Sequence, residues 1–148
     1  MPVVSGSSGR DVATSLAPLI GMQYIELESR RFPDGEGYVR VPSDAIDAVR
    51  SEPVVLVSNT YPDSGIVNTV LLLEAIAEVR RGNLSNLKGE EPQNMEDVGS
   101  GVYLAIPYYG YSRQDKRFSK GEAVSARVIA DILARGCDGI AILDLHEP

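Results

Sequence analysis

Short apolar runs alternate along the chain with longer stretches in which apolar residues recur at helical spacing. The apolar runs predict five strands, at residues 2–4, 23–27, 53–57, 102–106 and 140–143. Two of them, 53–57 and 102–106, are almost continuously aliphatic or β-branched. Such runs are typical of strands that are buried on both faces of a parallel sheet.

The stretches with helical spacing predict four helices, at residues 11–20, 43–50, 66–81 and 123–135. Ser8 and Asp11 resemble a capping box at the start of the first helix, with Asp in place of Glu. Pro18 is expected to shorten or distort that helix. Ser43 is the expected N-cap of the second helix, and Gly136 is the expected stop of the last.

Strands and helices therefore alternate, which predicts an α/β fold with a mostly parallel sheet flanked by helices on both faces. Two segments depart from this alternation. Residues 32–40 contain the turn Pro33-Asp34-Gly35 and predict a hairpin. Residues 82–101 have no periodicity and predict a surface insertion.

Composition limits the class of protein. The chain has 148 residues and a mass of 16.0 kDa, the size of one domain, and 43% of its residues are hydrophobic. Its net charge of −7 argues against nucleic-acid binding. Cys137 is the lone cysteine, which excludes an internal disulfide and fits a reducing compartment. No apolar run approaches the roughly 18 residues of a membrane span. We therefore expect a cytoplasmic domain that binds neither nucleic acid nor membranes.

The charge is distributed unevenly. Residues 107–121 carry a local charge of +3, so the rest of the chain carries −10. The basic residues are Arg113, Lys116, Arg117 and Lys120, and the one acidic residue is Asp115. Guanidinium groups can bind phosphate with two hydrogen bonds, and Gln114 can bond a base or a ribose. A solvated loop that pairs with acidic neighbours explains the composition equally well.

Functional side chains are expected at the carboxyl ends of the parallel strands, where α/β sheets bind ligands. Asp144 and His146 follow the last strand and project to the same side of an extended segment. They can hold a divalent cation, although Mg²⁺ prefers oxygen ligands. A simple hydrogen bond between the two side chains is the interpretation that their spacing alone favours.

Two further segments suggest binding more weakly. Phe32 can stack on a flat base while Asp34 and Glu36 accept hydrogen bonds from it, yet an ordinary hairpin explains the same residues and is favoured without further context. The loop at residues 5–9 can offer backbone N–H groups to an anion at a helix start. It has neither the lysine of a P-loop nor the spacing of a dinucleotide-binding loop.

Taken together, the segments resemble the N-terminal half of ribose-phosphate pyrophosphokinase, the family of phosphoribosyl pyrophosphate synthetases. Five motifs carry the resemblance, in the order and over nearly the whole length expected for that half. They are Ser5-Gly6-Ser7-Ser8, Arg31-Phe32-Pro33-Asp34-Gly35-Glu36, Pro107-Tyr108-Tyr109-Gly110-Tyr111-Ser112-Arg113-Gln114-Asp115, Val124-Ser125-Ala126 and Asp144-Leu145-His146.

The resemblance implies a phosphoribosyltransferase-like domain of type I and a Mg²⁺-dependent transfer of diphosphate from ATP to ribose 5-phosphate. It implies a homo-oligomer whose ATP site is shared between subunits, and it assigns no catalytic side chain to this half. The ATP-binding residues that it implies are Phe32, Asp34, Gly35, Glu36, Arg113, Gln114, Asp115, Lys116 and Arg117. It places His146, with Asp144 close by, at the magnesium site.

Two departures qualify the resemblance. The insertion at residues 82–101 is longer than the family usually has at that point. The family's C-terminal half, with its acidic ribose-phosphate motif and its diphosphate-binding loop, has no counterpart in the sequence. We therefore expect the chain to bind ATP but not to complete the reaction alone. The alternative is a non-catalytic regulatory partner; a salvage phosphoribosyltransferase is less favoured because the acidic motif is missing.

Overall fold

The computed structural model describes residues 1–82 and 101–145 of the chain, so most of the predicted insertion at 82–101 and His146 lie outside the described residues. Seven strands are present in this part. They are β1 (Val3–Ser5), β2 (Tyr24–Glu26), β3 (Glu28–Arg31), β4 (Gly37–Arg40), β5 (Val54–Val57), β6 (Val102–Ile106) and β7 (Gly139–Ile142).

Four α-helices accompany the strands in the same ranges. They are α1 (Arg10–Leu19), α2 (Ile46–Ser51), α3 (Asp63–Arg81) and α4 (Ser125–Leu133). Short 3₁₀ turns precede α1 at Ser7–Gly9, precede α2 at Ser43–Ala45 and follow α4 at Ala134–Gly136. No helix of the described residues is long and apolar enough to cross a membrane.

Five strands form a parallel sheet in the order β2-β1-β5-β6-β7, with helices on both faces, as the alternating pattern predicts. On one face, Val4, Leu56 and Leu104 lie side by side across three strands and pack against α2, α3 and α4. On the other face, Val3 and Val57 pack against α1. All five side chains are 0–1% exposed. Burial on both faces explains the continuous apolar runs of these strands.

The order of the strands creates a switch point between β1 and β5. These strands are neighbours, with Val4 aligned to Leu56, but the helices that follow them cover opposite faces of the sheet. At such a point the two loops leave the carboxyl edge in opposite directions and open a crevice between them, the usual position of a ligand in open α/β sheets.

The hairpin begins earlier than the predicted range of 32–40. β3 pairs with β4 in antiparallel register from Glu28 opposite Arg40 to Arg31 opposite Gly37. The hydrogen bond from Arg40 Nε to Glu28 Oε2, of 2.8 Å, closes the base of the hairpin and is the main cause of the lowered pKa of Glu28. The polar pattern of residues 28–31 does not look like a strand because this hairpin is largely exposed.

Both predicted side-chain caps are wrong. The Ser8 hydroxyl lies 3.2 Å from the Ser58 hydroxyl, and Gly9 is the N-cap of α1. No side chain caps the turn before α2, where Pro42 rather than Ser43 holds the N-cap position. In both places the chain enters the helix through a 3₁₀ turn, which changes the position of the cap and leaves the serine free for other contacts. α3 also begins earlier than predicted, at Asp63 instead of residue 66.

Candidate functional site

The loops after β1, β5 and β6 meet at the carboxyl edge of the sheet, and Asn59 joins them. Its side-chain N–H donates to the Ser8 carbonyl at 2.8 Å, and its side-chain oxygen accepts from the Tyr108 N–H at 3.0 Å. One amide side chain therefore links the loop after β5 to the loops on both sides of it.

A close backbone contact holds the start of the loop after β6. The Gly110 N–H donates to the Thr60 hydroxyl at 2.8 Å, and the Thr60 N–H donates to the Tyr108 carbonyl at 3.3 Å. A Cβ atom at position 110 would lie only 2.4 Å from the Thr60 carbonyl oxygen, so this position requires glycine. The basic segment that follows therefore starts from a well-defined point.

Tyr111 adopts an unusual backbone conformation in this loop. Its φ of 68° is the one positive φ of a non-glycine residue in the described ranges. Its hydroxyl donates to Asp63 Oδ1 at 2.8 Å, and this hydrogen bond raises the pKa of Tyr111. Asp63 is the first residue of α3, so the contact ties the loop after β6 to the start of that helix.

Gln114 is held by three hydrogen bonds. Its N–H donates to the Tyr111 carbonyl at 3.0 Å, and its carbonyl accepts from the Ala126 N–H at 3.2 Å. Its side-chain oxygen accepts from the Ser125 hydroxyl at 2.8 Å. This arrangement leaves the side-chain N–H₂ without a partner in the described part of the chain and available to donate to a ligand.

Glu122 closes the far end of the basic segment. Its carboxylate accepts from the backbone N–H groups of Phe118 at 2.7 Å and Ser119 at 2.9 Å. These two bonds hold the pKa of Glu122 below its usual range. The Arg117 Nε also donates to the Glu122 carbonyl at 3.0 Å. We call residues 113–120, which lie between Tyr111 and Glu122, the basic loop.

A pocket of about 510 Å³ opens beside the basic loop, and we call it the basic-loop pocket. Its lining combines three tyrosines, a phenylalanine, and Arg113 and Gln114, which the sequence predicts to contact ATP. The lining is Tyr61, Asp63, Tyr108, Gly110, Tyr111, Ser112, Arg113, Gln114 and Phe118. Sequence reasoning missed Tyr61 and Asp63, because only the fold brings them to this loop. It also missed Phe118, which lies in the loop itself.

The basic side chains of the loop are not neutralised by acidic neighbours. None of Arg113, Lys116, Arg117 and Lys120 forms an ion pair with another residue in the ranges that the structure describes. Asp115, Lys116 and Arg117 are exposed and do not line the pocket. Of the two interpretations that composition left open, the unpaired charges fit an anionic ligand better than a loop that pairs with acidic neighbours.

The four predicted residues of the hairpin turn lie elsewhere. Gly35 and Glu36 line a second pocket of about 590 Å³, which we call the hairpin pocket, while Phe32 and Asp34 do not line it. The Phe32 ring is 40% exposed and meets the Tyr38 ring edge-on at 5.7 Å. Neither pocket is lined by both turn residues and the basic loop, so one chain by itself does not bring these two groups together.

Asp144 lies at the same carboxyl edge of the sheet. The Leu143 N–H donates to the Ile106 carbonyl at 3.0 Å, which places Asp144 beside the start of the loop after β6. Its carboxylate is exposed. His146, the other predicted metal ligand, lies outside the described residues. Within residues 1–82 and 101–145, no three acidic, histidine or cysteine side chains are close enough to hold a metal ion by themselves.

Comparison with known proteins identifies similar sequences over the whole chain. A family model described as the N-terminal domain of ribose phosphate pyrophosphokinase matches residues 99–136. The ribose-phosphate pyrophosphokinase of Methanothermobacter thermautotrophicus is 35% identical over 98% of the chain, and that of Saccharolobus solfataricus is 34% identical over 100% of it. The chain spans 44% of the length of each relative.

A solved structure has the same fold. The phosphoribosylpyrophosphate synthetase from Mycobacterium smegmatis superposes with a TM-score of 0.69 at 21% sequence identity. The match covers 98% of this chain and 42% of the other. The five-stranded parallel sheet and its flanking helices are therefore of the phosphoribosyltransferase-like type that the motifs predict.

Proposed function

Because the chain belongs to the ribose-phosphate pyrophosphokinase family and matches its N-terminal part, we propose that it is the ATP-binding half of a ribose-phosphate diphosphokinase. That enzyme transfers diphosphate from ATP to ribose 5-phosphate and yields phosphoribosyl pyrophosphate and AMP. The chain spans 44% of the length of each of the two relatives. We therefore propose that a second half binds ribose 5-phosphate as the substrate, and we expect no synthesis of phosphoribosyl pyrophosphate by this chain alone. The proposed compartment is the cytoplasm.

The basic-loop pocket is the observation that carries this proposal. Arg113 and Gln114 line it, and both have donors without a protein partner among the described residues. Arg113 is proposed to lie near the adenine base, and Lys116 and Arg117 nearer to the phosphates. The rings of Tyr61 and Phe118 in the lining offer surfaces for a flat base, because bases stack well on aromatic faces and on guanidinium planes.

The hairpin turn is proposed to complete the same site from a second subunit. Phe32 is exposed. The guanidinium of Arg30, which belongs to the same hairpin, lies 5.0 Å from the centre of the Phe32 ring. Asp34 and Glu36 are also exposed at the turn. Since these groups do not line the basic-loop pocket of their own chain, a homo-oligomer that exchanges hairpins between subunits is the arrangement that uses both sets of residues.

Asp144 is proposed to hold Mg²⁺ together with His146. The exposed carboxylate of Asp144 fits this ion, which prefers oxygen ligands and is usually bound by one or two carboxylates plus substrate phosphates. When bound, the ion offsets negative charge on the phosphoryl oxygens.

The residues of this chain contribute position and charge to the reaction. In the proposed reaction, the 1-hydroxyl of ribose 5-phosphate attacks the β-phosphorus of ATP in line and gives up its proton. The bond from the β-phosphorus to the oxygen that bridges it to the α-phosphorus breaks, and AMP leaves with that oxygen. Lys116 and Arg117 are proposed to stabilise the charge that develops on the phosphoryl oxygens, because cations held close to those oxygens offset their negative charge. We assign no proton transfer to a side chain of this half.

ATP titration into the chain in the presence of Mg²⁺ tests the proposal. Arg113→Ala removes a charged donor from the pocket, and we expect the Kd for ATP to rise about tenfold or more. Isothermal titration calorimetry measures both proteins. Arg127→Ala is the matched control, because Arg127 is an exposed arginine on α4 outside the pocket. We expect its Kd for ATP to be unchanged.

Two outcomes would count against the proposal. A wild-type chain that does not bind ATP would support the non-catalytic partner instead. Equal losses of affinity in Arg113→Ala and Arg127→Ala would show that ATP responds to overall charge and not to the basic-loop pocket.

A further inference from the structure

The hairpin pocket lies at the switch point of the sheet, where β1 and β5 send their loops apart. One wall is the loop after β1, a second is the hairpin, and the third is the loop and first turns of α3. The lining is Ser7, Ser8, Ser29, Arg30, Arg31, Gly35, Glu36, Gly37, Tyr61, Pro62, Ser64, Gly65, Val67, Asn68 and Leu71. The crevice at the carboxyl ends of the strands at a switch point is where open α/β sheets bind small ligands.

Close packing of glycines brings the three walls together. A Cβ atom on Gly9 would lie 2.0 Å from the Val57 carbonyl oxygen, so glycine lets the loop after β1 approach β5. A Cβ atom on Gly6 would lie 3.0 Å from a methyl group of Leu72 and 3.1 Å from the Ser29 Cβ atom. The loop after β1 is therefore held close to β5 by a backbone contact and close to the hairpin and α3 by side-chain contacts.

The polar groups of the pocket offer mainly hydrogen-bond donors. The Arg31 guanidinium donates one bond to the Gly35 carbonyl at 2.8 Å and forms no ion pair with any described residue. The Asn68 side-chain oxygen accepts from the Ser29 hydroxyl at 3.0 Å, which leaves its N–H₂ group to donate. The Ser64 hydroxyl has no partner in the described part of the chain.

The net charge of the lining indicates how many negative charges a bound anion can carry. Arg30 and Arg31 contribute two positive charges and Glu36 one negative charge, so the lining has a net charge of +1. Glu28 pairs with Arg30 at 3.3 Å and weakens its effect. This balance suits one phosphate group and not the four negative charges of a nucleoside triphosphate. The remaining volume, the Ser64 hydroxyl and the Asn68 N–H₂ group suit the hydroxyl groups of a sugar.

We propose that the hairpin pocket is a second ligand site, which binds a sugar phosphate with its phosphate on Arg31 and its hydroxyl groups on Ser64 and Asn68. The site uses the loop after β1, whose sequence offers backbone N–H groups to an anion but lacks the motifs of known nucleotide loops. It is separate from the basic-loop pocket and does not depend on ATP binding there. Tyr61 lines both pockets, so a ligand that moves its side chain in one pocket can change the shape of the other.

Titration of ribose 5-phosphate into the ¹⁵N-labelled chain tests the proposal by nuclear magnetic resonance. We expect saturable shifts of the amide signals of Ser7, Ser8 and Ser64. Arg31→Gln is expected to weaken binding about tenfold or more, because it removes a charge-assisted contact with phosphate. Ser64→Ala is expected to weaken it by a smaller factor, and it provides a second variant should Arg31→Gln disturb the hairpin.

Arg50→Gln is the charge-matched control. Arg50 is exposed in the last turn of α2, which leads to the amino end of β5 and so lies at the opposite edge of the sheet. We expect this variant to bind ribose 5-phosphate like the wild type. Equal weakening in Arg50→Gln and Arg31→Gln would overturn the proposal, because it would reveal a response to net charge alone.

Three further arms decide the ligand and the location. Ribose and inorganic phosphate are each expected to bind at least tenfold more weakly than ribose 5-phosphate, since each lacks half of the contacts. Equal affinity for inorganic phosphate would overturn the assignment to a sugar phosphate. Arg113→Ala is expected to leave the titration unchanged, whereas loss of binding in that variant, or shifts confined to the basic loop, would place the ligand in the other pocket and overturn the proposal.

Discussion

At the scale of single residues, the candidate ATP site depends on side chains that position others. Tyr111 is the example, because its left-handed backbone turns the chain just before Arg113 and Gln114. Such a conformation is disfavoured for a residue with a Cβ atom and persists where other contacts hold it. The hydrogen bond from the Tyr111 hydroxyl to Asp63 is the contact that does so here. It follows that the pair orients the two residues proposed to contact ATP.

Tyr111→Phe keeps the ring and removes this hydrogen bond. We expect the Kd for ATP to rise about threefold to tenfold, because the turn before Arg113 loses its contact with α3. Calorimetric titration with ATP and Mg²⁺ measures the change, and the thermal midpoint of the variant shows whether the fold is retained.

Asp63→Asn is the control, because it keeps the hydrogen bond that Tyr111→Phe removes. An asparagine still accepts the Tyr111 hydroxyl but removes a negative charge from the lining of the pocket. We expect the Kd for ATP to fall or to stay the same. Weakening as large as that of Tyr111→Phe would contradict the positioning role, since the hydrogen bond survives in this variant.

At the scale of elements, one carboxylate aligns two strands of the sheet. Asp138 precedes β7, and its Oδ2 atom accepts from the backbone N–H groups of Gly101 at 2.7 Å and Val102 at 2.8 Å. These groups stand at the start of β6 and are buried. The two bonds hold the pKa of Asp138 below its usual range. The basic loop at the other end of β6 depends on this alignment for its position.

Asp138→Ala leaves both backbone N–H groups without their acceptor. We expect a loss of about 1–2 kcal/mol in the free energy of unfolding at pH 7, since buried donors then lack a partner. Asp138→Asn retains an acceptor oxygen and is expected to lose less. Urea unfolding of the three proteins measures the differences, and equal losses in the two variants would mean that the carboxylate charge matters more than the hydrogen bonds.

The same contact predicts a dependence on pH. Because the pKa of Asp138 is lower in the folded state, its stabilisation is fully present above the unfolded pKa of about 4. It is lost as the pH falls through the lowered pKa of the folded state. The advantage of the wild type over Asp138→Ala should therefore be larger at pH 7 than at pH 2, and urea unfolding at the two values measures it.

At the scale of the whole molecule, the two groups proposed to bind ATP lie in separate pockets of one chain. The hairpin turn borders the pocket at the switch point, and the basic loop borders the pocket beside β6. An ATP site that needs both groups must therefore be assembled from two chains. We therefore expect ATP binding to depend on the proposed oligomer.

Mixing two defective variants tests this dependence. Phe32→Ala damages only the hairpin, and Arg113→Ala damages only the basic loop, so we expect each variant alone to bind ATP weakly. In a mixed oligomer, the intact basic loop of one chain meets the intact hairpin of the other. After unfolding and refolding an equal mixture, about a quarter of the sites should bind ATP with wild-type affinity.

The stoichiometry of tight ATP binding measures this recovery by calorimetry. The mixture without refolding is the control for subunit exchange. No recovery after refolding would contradict a site shared between subunits and would place the adenine contacts within a single chain.

Much of the fold follows from local pattern. The runs at 53–57 and 102–106 predict buried strands because a strand covered on both faces must be apolar on both. The hairpin strand at 28–31 escapes this logic because its exposed residues carry no apolar alternation. The caps at Ser8 and Ser43 are wrong because a capping motif is read from neighbouring residues alone, whereas the entrance to each helix also depends on contacts that are distant in sequence.

The α/β class, the family motifs and the basic character of residues 113–120 follow from the amino-acid sequence alone, since each depends on residues that are near one another along the chain. Which loops meet becomes clear only from the folded chain. The fold brings Tyr61 and Asp63 to the basic loop, separates that loop from the hairpin turn and opens a pocket between β1 and β5. The reason is physical: the order of parallel strands is set by packing across the sheet, and no local pattern specifies that order.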